Sequence, residues 1–448
     1  MKMGWLNFFS NKVNVFIISL SIITMVVAFN LPFKSKPFGD RDIHRESKNA
    51  ALYFKGKVSY DKLIISKAPG TIAYFTIPYL FAPSSATDDQ LWYYGVFFNF
   101  LFITISLLLI NKAATNLFSK EIGFLSVVLL IVFPLHSYYA MSIIGETAAF
   151  FSFCLALYGW SKVYQNPTKN KAWVLMILGI SFMILNRPNT LLILPIGFLF
   201  LLYFYFKQKE FFINYGKKIA ISLIISGAIG FSSLQMAKVI NGSKYGHTQE
   251  GALNYVLLQG RYQFRNEPTD FRFWDNKNRA DSKDYQEWKL KFGELERTIK
   301  QNNISYDKAY KDFIIPDYFK NPFLSARQFI VKCFYGQMYF INSIKPNNFK
   351  LGPLHGAVGY WSLLILINSI NLLVLIGVFI HLFTSKNNAN YWLFWSIIVS
   401  LLLFHGLTYM EPRYMFPAKA AFCILGAAGL YRVSFFKKWI HKLTNKFL

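Results

Sequence analysis

Nine consecutive residues, Phe38-Gly39-Asp40-Arg41-Asp42-Ile43-His44-Arg45-Glu46, hold two aspartates, a glutamate, a histidine and two arginines. They follow closely on the first long apolar run. Ionisable groups at the edge of a bilayer are expensive to keep there and are usually paired or functional. A carboxylate at such a place can take or orient the proton of an acceptor hydroxyl. Asp40 and Asp42 are two apart, so they could also share a divalent ion that bridges a phosphate. That D-x-D spacing is common by chance, and the bland alternative is a solvated acidic loop.

Other ionisable residues fall at the ends of apolar runs. They are Lys67, His136, Glu146, Arg187, Glu411 and Arg413, the last beside Tyr414. Each has an ordinary explanation. A carboxylate such as Glu146 is favoured at a helix start by the dipole. Arg187 before Pro188 could be a helix break with a snorkelling arginine, and Glu411 with Arg413 could be a local pair. Their shared position on one side of the chain's apolar runs carries more weight than any one of them. Transfer of a sugar from a lipid phosphate needs a carboxylate for the acceptor, cations for the charge that builds on the leaving phosphate, and an apolar groove for the lipid. Asp40 or Asp42, supported by Glu146, could supply the first; Lys67, Arg187 and Arg413 the second.

The elements that must position these groups are read from composition. The chain has 448 residues, 54% of them hydrophobic and 19% aromatic, with a mean hydropathy of +0.30. Charge is confined to a few segments, and the runs between them are about 18–25 residues long, the length that spans a bilayer. The runs are continuous rather than alternating, which argues against a β-barrel. The expected fold is an all-α polytopic membrane protein with about ten transmembrane helices, near residues 13–31, 92–110, 121–135, 147–163, 172–186, 190–206, 219–237, 357–382, 391–408 and 416–432. Gly70–Ala82 is too short to cross and is expected to be re-entrant or interfacial. Formal net charge is +26. In a membrane protein this reads as helix-end anchors and attraction to anionic lipid, and nucleic acid is excluded as a partner. The three cysteines, Cys154, Cys333 and Cys423, form neither a disulfide framework nor a C-x-x-C metal motif. No small-residue cleavage site follows the first run, so an uncleaved first span is expected.

Three regions are expected: a transmembrane core over 1–240 with a first outer loop at 32–91, an α-rich loop region at 241–355, and C-terminal helices with a basic tail over 356–448. Asp281–Lys300 reads as an amphipathic helix, and Phe323–Phe340 as one lying on the membrane. The short lysine-rich loops 111–120, 165–171, 207–218 and 384–390 set the topology. They put both termini in the cytoplasm, and the acidic stretch, Glu146, Arg187, the 241–355 region and Glu411–Arg413 outside. The Lys-, Asn-, Ile- and Phe-rich usage suggests a bacterial plasma membrane protein. Asn241-Gly242-Ser243 and Asn303-Ile304-Ser305 fit the N-glycosylation triplet.

Five short blocks in order resemble the GT-C superfamily of membrane glycosyltransferases, near the dolichyl-phosphate-mannose protein mannosyltransferases and the bacterial lipid A aminoarabinose transferases. They are Gly39-Asp40-Arg41-Asp42 with Ala50–Tyr60 (AALYFKGKVSY), Lys67-Ala68-Pro69-Gly70, Ser142–Tyr158 (SIIGETAAFFSFCLALY), Asn186-Arg187-Pro188-Asn189, and Glu411-Pro412-Arg413-Tyr414-Met415-Phe416-Pro417. The resemblance implies a polyprenyl-phosphate-sugar donor, inverting displacement, and a first-loop aspartate as base. It puts Asp40 or Asp42 in the base position, with Lys67, Glu146, Arg187 and Arg413 around the donor phosphate and acceptor. The acceptor class (lipid, glycan or protein) is left open, as is a divalent cation on Asp40 and Asp42; no other cofactor is implied. Two motif departures stand out: Lys67-Ala68-Pro69-Gly70 has one proline where the family has two, and Asp-Arg-Asp replaces an Asp-Glu pair. Competing readings are a lipid-linked glycan polymerase or ligase, whose large outer loop would be rich in Arg and His, and a transporter or flippase, which would carry charges mid-span.

Overall fold

The computed structural model describes residues 12–29, 39–131, 139–241, 252–270, 279–338, 347, 350–351, 354–385 and 388–447. Phe38, His136 and the Gly242-Ser243 part of the first glycosylation triplet lie outside the described residues. The chain forms two compact units, one of residues 1–240, 343–400 and 416–448, the other of 241–342 and 401–415.

The all-α expectation holds. Among the described residues the only paired strands are a two-residue hairpin, Lys350–Leu351 with Leu354–His355. In the first unit the helices are Lys12–Phe29, Arg41–Phe54, Pro69–Phe81, Asp88–Leu117, Lys120–Ile131, Gly145–Gln165, Asn170–Asn186, Ile193–Lys207, Lys217–Asn241, Gly356–Thr384, Lys419–Leu430 and Ser434–Phe447. Trp392–Leu407 contributes its first part to this unit and its last turns to the other. Six helical stretches among the described residues are long and apolar enough to cross a bilayer, seven if a pair bent by 105° near the C-terminus counts as one span. Several of the other expected spans are short: Asn170–Asn186 has 17 residues and Lys419–Leu430 has 12.

The shorter of the two is central, whereas Asn170–Asn186 exposes Val174, Leu178 and Phe182. Every residue of Lys419–Leu430 is buried. Gly145–Gln165 and Asn170–Asn186 pack so closely that a Cβ on Gly179 would lie 2.3 Å from Ala156 N, and one on Gly159 2.4 Å from Met176 N. Small residues bring backbones together where lipid gives no hydrophobic drive. The outer helices do the reverse: Ile22, Ile23 and Val26 on the first, Leu199 and Phe206 on Ile193–Lys207, and Ile224 and Phe231 on Lys217–Asn241 are exposed. Apolar side chains turned outward in such number are stable only against hydrocarbon, and the molecule is an integral membrane protein.

Two segments read as basic loops are helical. Asp88–Leu117 runs through most of 111–120, and 209–241 is helical throughout, with a π-helical turn at Phe212–Gly216. Lys112, Lys217 and Lys218 sit within these helices, because a long polar side chain does not interrupt backbone pairing and can extend away from the apolar surface.

The second unit has its own core of Leu258, Tyr262, Trp288, Leu295, Tyr310 and Ile314. Its helices are Ala252–Tyr262, Lys283–Asn302, Tyr306–Lys320 and Pro322–Tyr335. Lys283–Asn302 is the amphipathic helix read from the sequence. Ser282 Oγ caps its start by accepting from Tyr285 N at 3.1 Å, and Asn303 ends it in the left-handed region at φ +47°.

Candidate functional site

The acidic stretch forms the start of the Arg41–Phe54 helix. Asp40 is its N-cap, with Oδ1 accepting from Asp42 N at 2.9 Å and from Ile43 N at 3.3 Å. The helix buries Ile43, Ser47, Ala50 and Ala51. It lies on Pro69–Phe81, a helix begun by Pro69 in its first turn. Polar bonds reinforce the packing. Ser47 Oγ donates to Ile72 O at 3.3 Å, His44 Nδ1 meets the Tyr79 hydroxyl at 2.9 Å, and Lys55 Nζ donates to Tyr79 O and Ala82 O at the far end of Pro69–Phe81. A cation there also suits the helix dipole. Burial holds the His44 imidazole below its ordinary pKa, against the raising effect of Asp88.

A backbone contact fixes where this helix starts. Gly39 bridges Ile143, and Asp40 N donates to Ile143 O at 2.9 Å. Gly39 has φ +132°, and a Cβ there would lie 2.5 Å from Ile143 O. Only glycine fits. Gly39→Ala is therefore expected to combine backbone strain of about 1–3 kcal/mol with displacement of Asp40. It should lower the apparent melting temperature by several degrees and strongly reduce activity. An alanine variant with unchanged melting and turnover would show that the bridge does not set the aspartate's position.

Three charges meet beside the bridge. Lys67 Nζ lies 3.4 Å from Asp40 Oδ2 and 3.5 Å from Asp42 Oδ2, while Asp42 Oδ1 pairs with Arg45 at 2.9 Å. Lys67 is held there by Glu46, whose buried carboxylate accepts from Ser66 N at 3.0 Å, Lys67 N at 3.3 Å and the Ser66 hydroxyl. Burial pushes the Glu46 carboxyl up, and these donors pull it down. Among the described residues no group of three or more His, Cys, Asp or Glu comes together to hold a metal ion. As arranged, the cation facing both carboxylates is the Lys67 ammonium.

The next block follows closely after Ile143. Gly145 begins a helix, and Glu146 in its first turn pairs with Arg187, which follows Asn170–Asn186; both side chains are buried. Thr71 Oγ donates to Asn186 O at 3.2 Å, and a Cβ on Gly145 would touch Thr71 Oγ at 3.0 Å. The stretches carrying Asp40, Asp42, Lys67, Glu146 and Arg187 are thus joined by direct contacts. Carboxylates, cations and helix N-termini on segments in contact are the groups that can hold an anion and accept a proton.

In the second unit Glu411, Arg413 and Tyr414 form their own cluster. Glu411 accepts from the Tyr409 hydroxyl and pairs with Arg413, and Arg413 donates to the Tyr414 hydroxyl at 3.3 Å. The His405 ring stacks on Tyr414 with centroids 4.8 Å apart. Gln263 grips the segment ahead of Glu411 with both ends of its amide: Nε2 donates to Met410 O at 2.7 Å, and Oε1 accepts from Met410 N at 3.0 Å. Sequence pattern assigns no role to Glu46, His405 or Tyr409. Glu46 is one more acid in the acidic stretch, and His405 sits at an i, i+4 spacing from Tyr409 in an apolar run, where it resembles a core residue.

A family model of dolichyl-phosphate-mannose-protein mannosyltransferases matches residues 87–229. No relative is found among curated proteins. Among solved structures the chain is similar to an Archaeoglobus fulgidus oligosaccharyltransferase in complex with Zn and sulfate, at 11% identity and a TM-score of 0.51 over 97% of this chain and 51% of that one. It is also similar to the archaeal oligosaccharyltransferase AglB from Archaeoglobus fulgidus in complex with an inhibitory peptide and a dolichol-phosphate, at 12% identity and a TM-score of 0.48 over 96% and 52%. ArnT from Cupriavidus metallidurans in the apo state matches at 12% identity and a TM-score of 0.36 over 95% and 78%. The chain spans about half the length of the oligosaccharyltransferase chains. The resemblance read from the five blocks holds: this is the fold of the GT-C superfamily of membrane glycosyltransferases.

Proposed function

We propose that this GT-C-fold chain is a membrane glycosyltransferase that moves a sugar from a polyprenyl-phosphate donor to an acceptor outside the cytoplasm, with inversion at the sugar's C1. The observation that carries the reading is the junction of Asp40, Asp42 and Lys67 with the block that bears Glu146 and Arg187, made through the Gly39–Ile143 bridge.

In this reading the acceptor oxygen attacks C1 from the face opposite the phosphate. The C1–O bond breaks with its electron pair passing to the phosphate oxygen, and a first-loop carboxylate takes the acceptor's proton. Asp40 suits the base role. Its backbone N–H and Oδ1 are committed to the bridge and the helix start, which orients Oδ2 beforehand. Asp42 holds Lys67 from the other side. Lys67 and Arg187 stabilise the leaving phosphate's charge, and Glu146 keeps Arg187 extended. The Glu411–Arg413–Tyr414 cluster is proposed as a second element that binds the donor's anionic group. In this reading both termini lie in the cytoplasm and the site on the opposite face of a bacterial plasma membrane, which the short lysine-rich loops favour.

The test is to incubate purified full-length protein with a panel of polyprenyl-phosphate sugars and follow release of the free lipid phosphate. Release with one sugar in the presence of acceptor supports the reading. No release from any donor, with hydrolysis of a polyprenyl-diphosphate glycan instead, would favour a glycan ligase. Arg413→Ala is expected to raise the KM for the donor about tenfold, the loss of one charge-assisted hydrogen bond, with a smaller change in kcat. Unchanged donor kinetics would remove Arg413 from the site.

A further inference from the structure

The Pro322–Tyr335 helix is amphipathic in the wrong sense for water. Its inner face is polar: Gln328 is 2% exposed and Lys332 1%. Its outer face is apolar: Phe323 is 90% exposed, Ile330 67% and Phe334 58%. These three positions fall within one narrow stripe at 100° per residue. Arg327 lies on the same side, but its guanidinium turns back to donate to Phe264 O at 3.2 Å and to Arg265 O.

The inner face is bonded within the second unit. Lys332 Nζ donates to Gly260 O at 2.6 Å and Thr408 O at 2.8 Å, and Gln328 Nε2 to Arg261 O and Gln263 O, each at 2.9 Å. The preceding helix, Tyr306–Lys320, is stapled to it from inside by Arg261, which binds Asp317 on one helix and Ser325 and Gln328 on the other. Phe319 and Phe323 then flank the Asn321-Pro322 turn at the tip of this hairpin, both highly exposed, with Ile315 exposed one turn before Phe319. The helix does not lean on solvent alone. A Cβ on Gly406 would touch the Phe329 ring at 2.5 Å, and Cys333 Sγ lies 3.7 Å from Leu402 O. Leu402 and Gly406 are in the last turns of a helix long and apolar enough to span a membrane.

We infer that the hairpin of Tyr306–Lys320 and Pro322–Tyr335 is inserted in the outer leaflet, with Ile315, Phe319, Phe323, Ile330 and Phe334 among lipid acyl chains. A helix that buries its lysine and glutamine and exposes its phenylalanines is stable where the outside medium is hydrocarbon. Packing on the end of a span puts it at that depth. The bond from Lys332 to Thr408 ties this depth to Glu411 and Arg413, which follow closely in sequence. The inserted hairpin therefore sets the level of that cluster against the lipid headgroups. The insertion itself does not depend on the proposed transferase activity.

The test uses full-length protein in vesicles of phosphatidylethanolamine and phosphatidylglycerol. Phe323→Cys and Ile330→Cys, each in a Cys333→Ser background, are spin-labelled; Cys154 and Cys423 are buried. Collisions with oxygen, which concentrates in hydrocarbon, are compared with those with a water-soluble nickel chelate. Arg297→Cys, on an exposed part of Lys283–Asn302, is the aqueous control. The oxygen-to-nickel ratio should be severalfold higher at both hairpin positions than at the control. A ratio equal to the control's would place the hairpin in water and overturn the inference. Shielding from both reagents would overturn it in favour of a protein partner or a second copy.

Discussion

Asp40→Asn is expected to reduce sugar transfer about a hundredfold or more, the loss typical of a missing general base, while leaving the melting temperature unchanged. The separation of the two effects follows from the cap. Asp40 Oδ1 holds the first turn of Arg41–Phe54 through Asp42 N and Ile43 N, and asparagine caps a helix as well as aspartate does. The amide keeps the acceptor oxygen for the helix and removes the group that takes the proton. Asp40→Ala removes both, with about 1 kcal/mol of stability lost from the cap as well. Asp42→Asn should cost less activity, because Asp42 is the more exposed partner of Lys67 and caps nothing. Turnover and thermal unfolding of the three variants check the assignment. Full activity in Asp40→Asn with loss in Asp42→Asn would exchange the two roles, and full activity in both would end the base reading.

Breaking the Glu146–Arg187 pair has the second large effect. Both side chains are buried. Removing one partner leaves a charge in a medium of low polarity, at about 3–5 kcal/mol. Arg187→Met is expected to lower the unfolding temperature markedly and abolish transfer. Glu146→Gln together with Arg187→Met removes both charges and should recover most of the stability without recovering activity. Restored activity in the double variant would make the pair structural. A single variant that melts normally would mean that the pair is not buried in the working protein.

Much of this is legible in the sequence. Apolar run length marks the helices, and the positions of charges at run ends pick out Asp40, Asp42, Lys67, Glu146 and Arg187. Contacts that leave no periodic trace are not legible. The bridge between Gly39 and Ile143 is main chain to main chain across about a hundred residues, and nothing in Ile143 advertises it. Glu46 reads as one more loop acid because its partners are mostly the backbone N–H groups of Ser66 and Lys67. The end of Asp88–Leu117 is hidden because a lysine in the run suggests that the span stops there, whereas backbone pairing continues past it to Leu117. The inverted face of Pro322–Tyr335 shows in the sequence only as mixed character; which side is buried depends on Arg261, Gly260 and Thr408, far away in the chain.

The polar ties that join Arg41–Phe54 to Pro69–Phe81 have a consequence for selectivity. Lys55, Ser47, His44 and Glu46 each fasten one helix, or the link between the two, to the other. The carboxylates and the ammonium therefore ride on one stiff body and cannot be re-spaced one at a time. In the proposed function such a body would work as a fixed gauge: a ligand would be accepted when its own charges match the interval, and a longer or shorter one would find no adjustment to meet it.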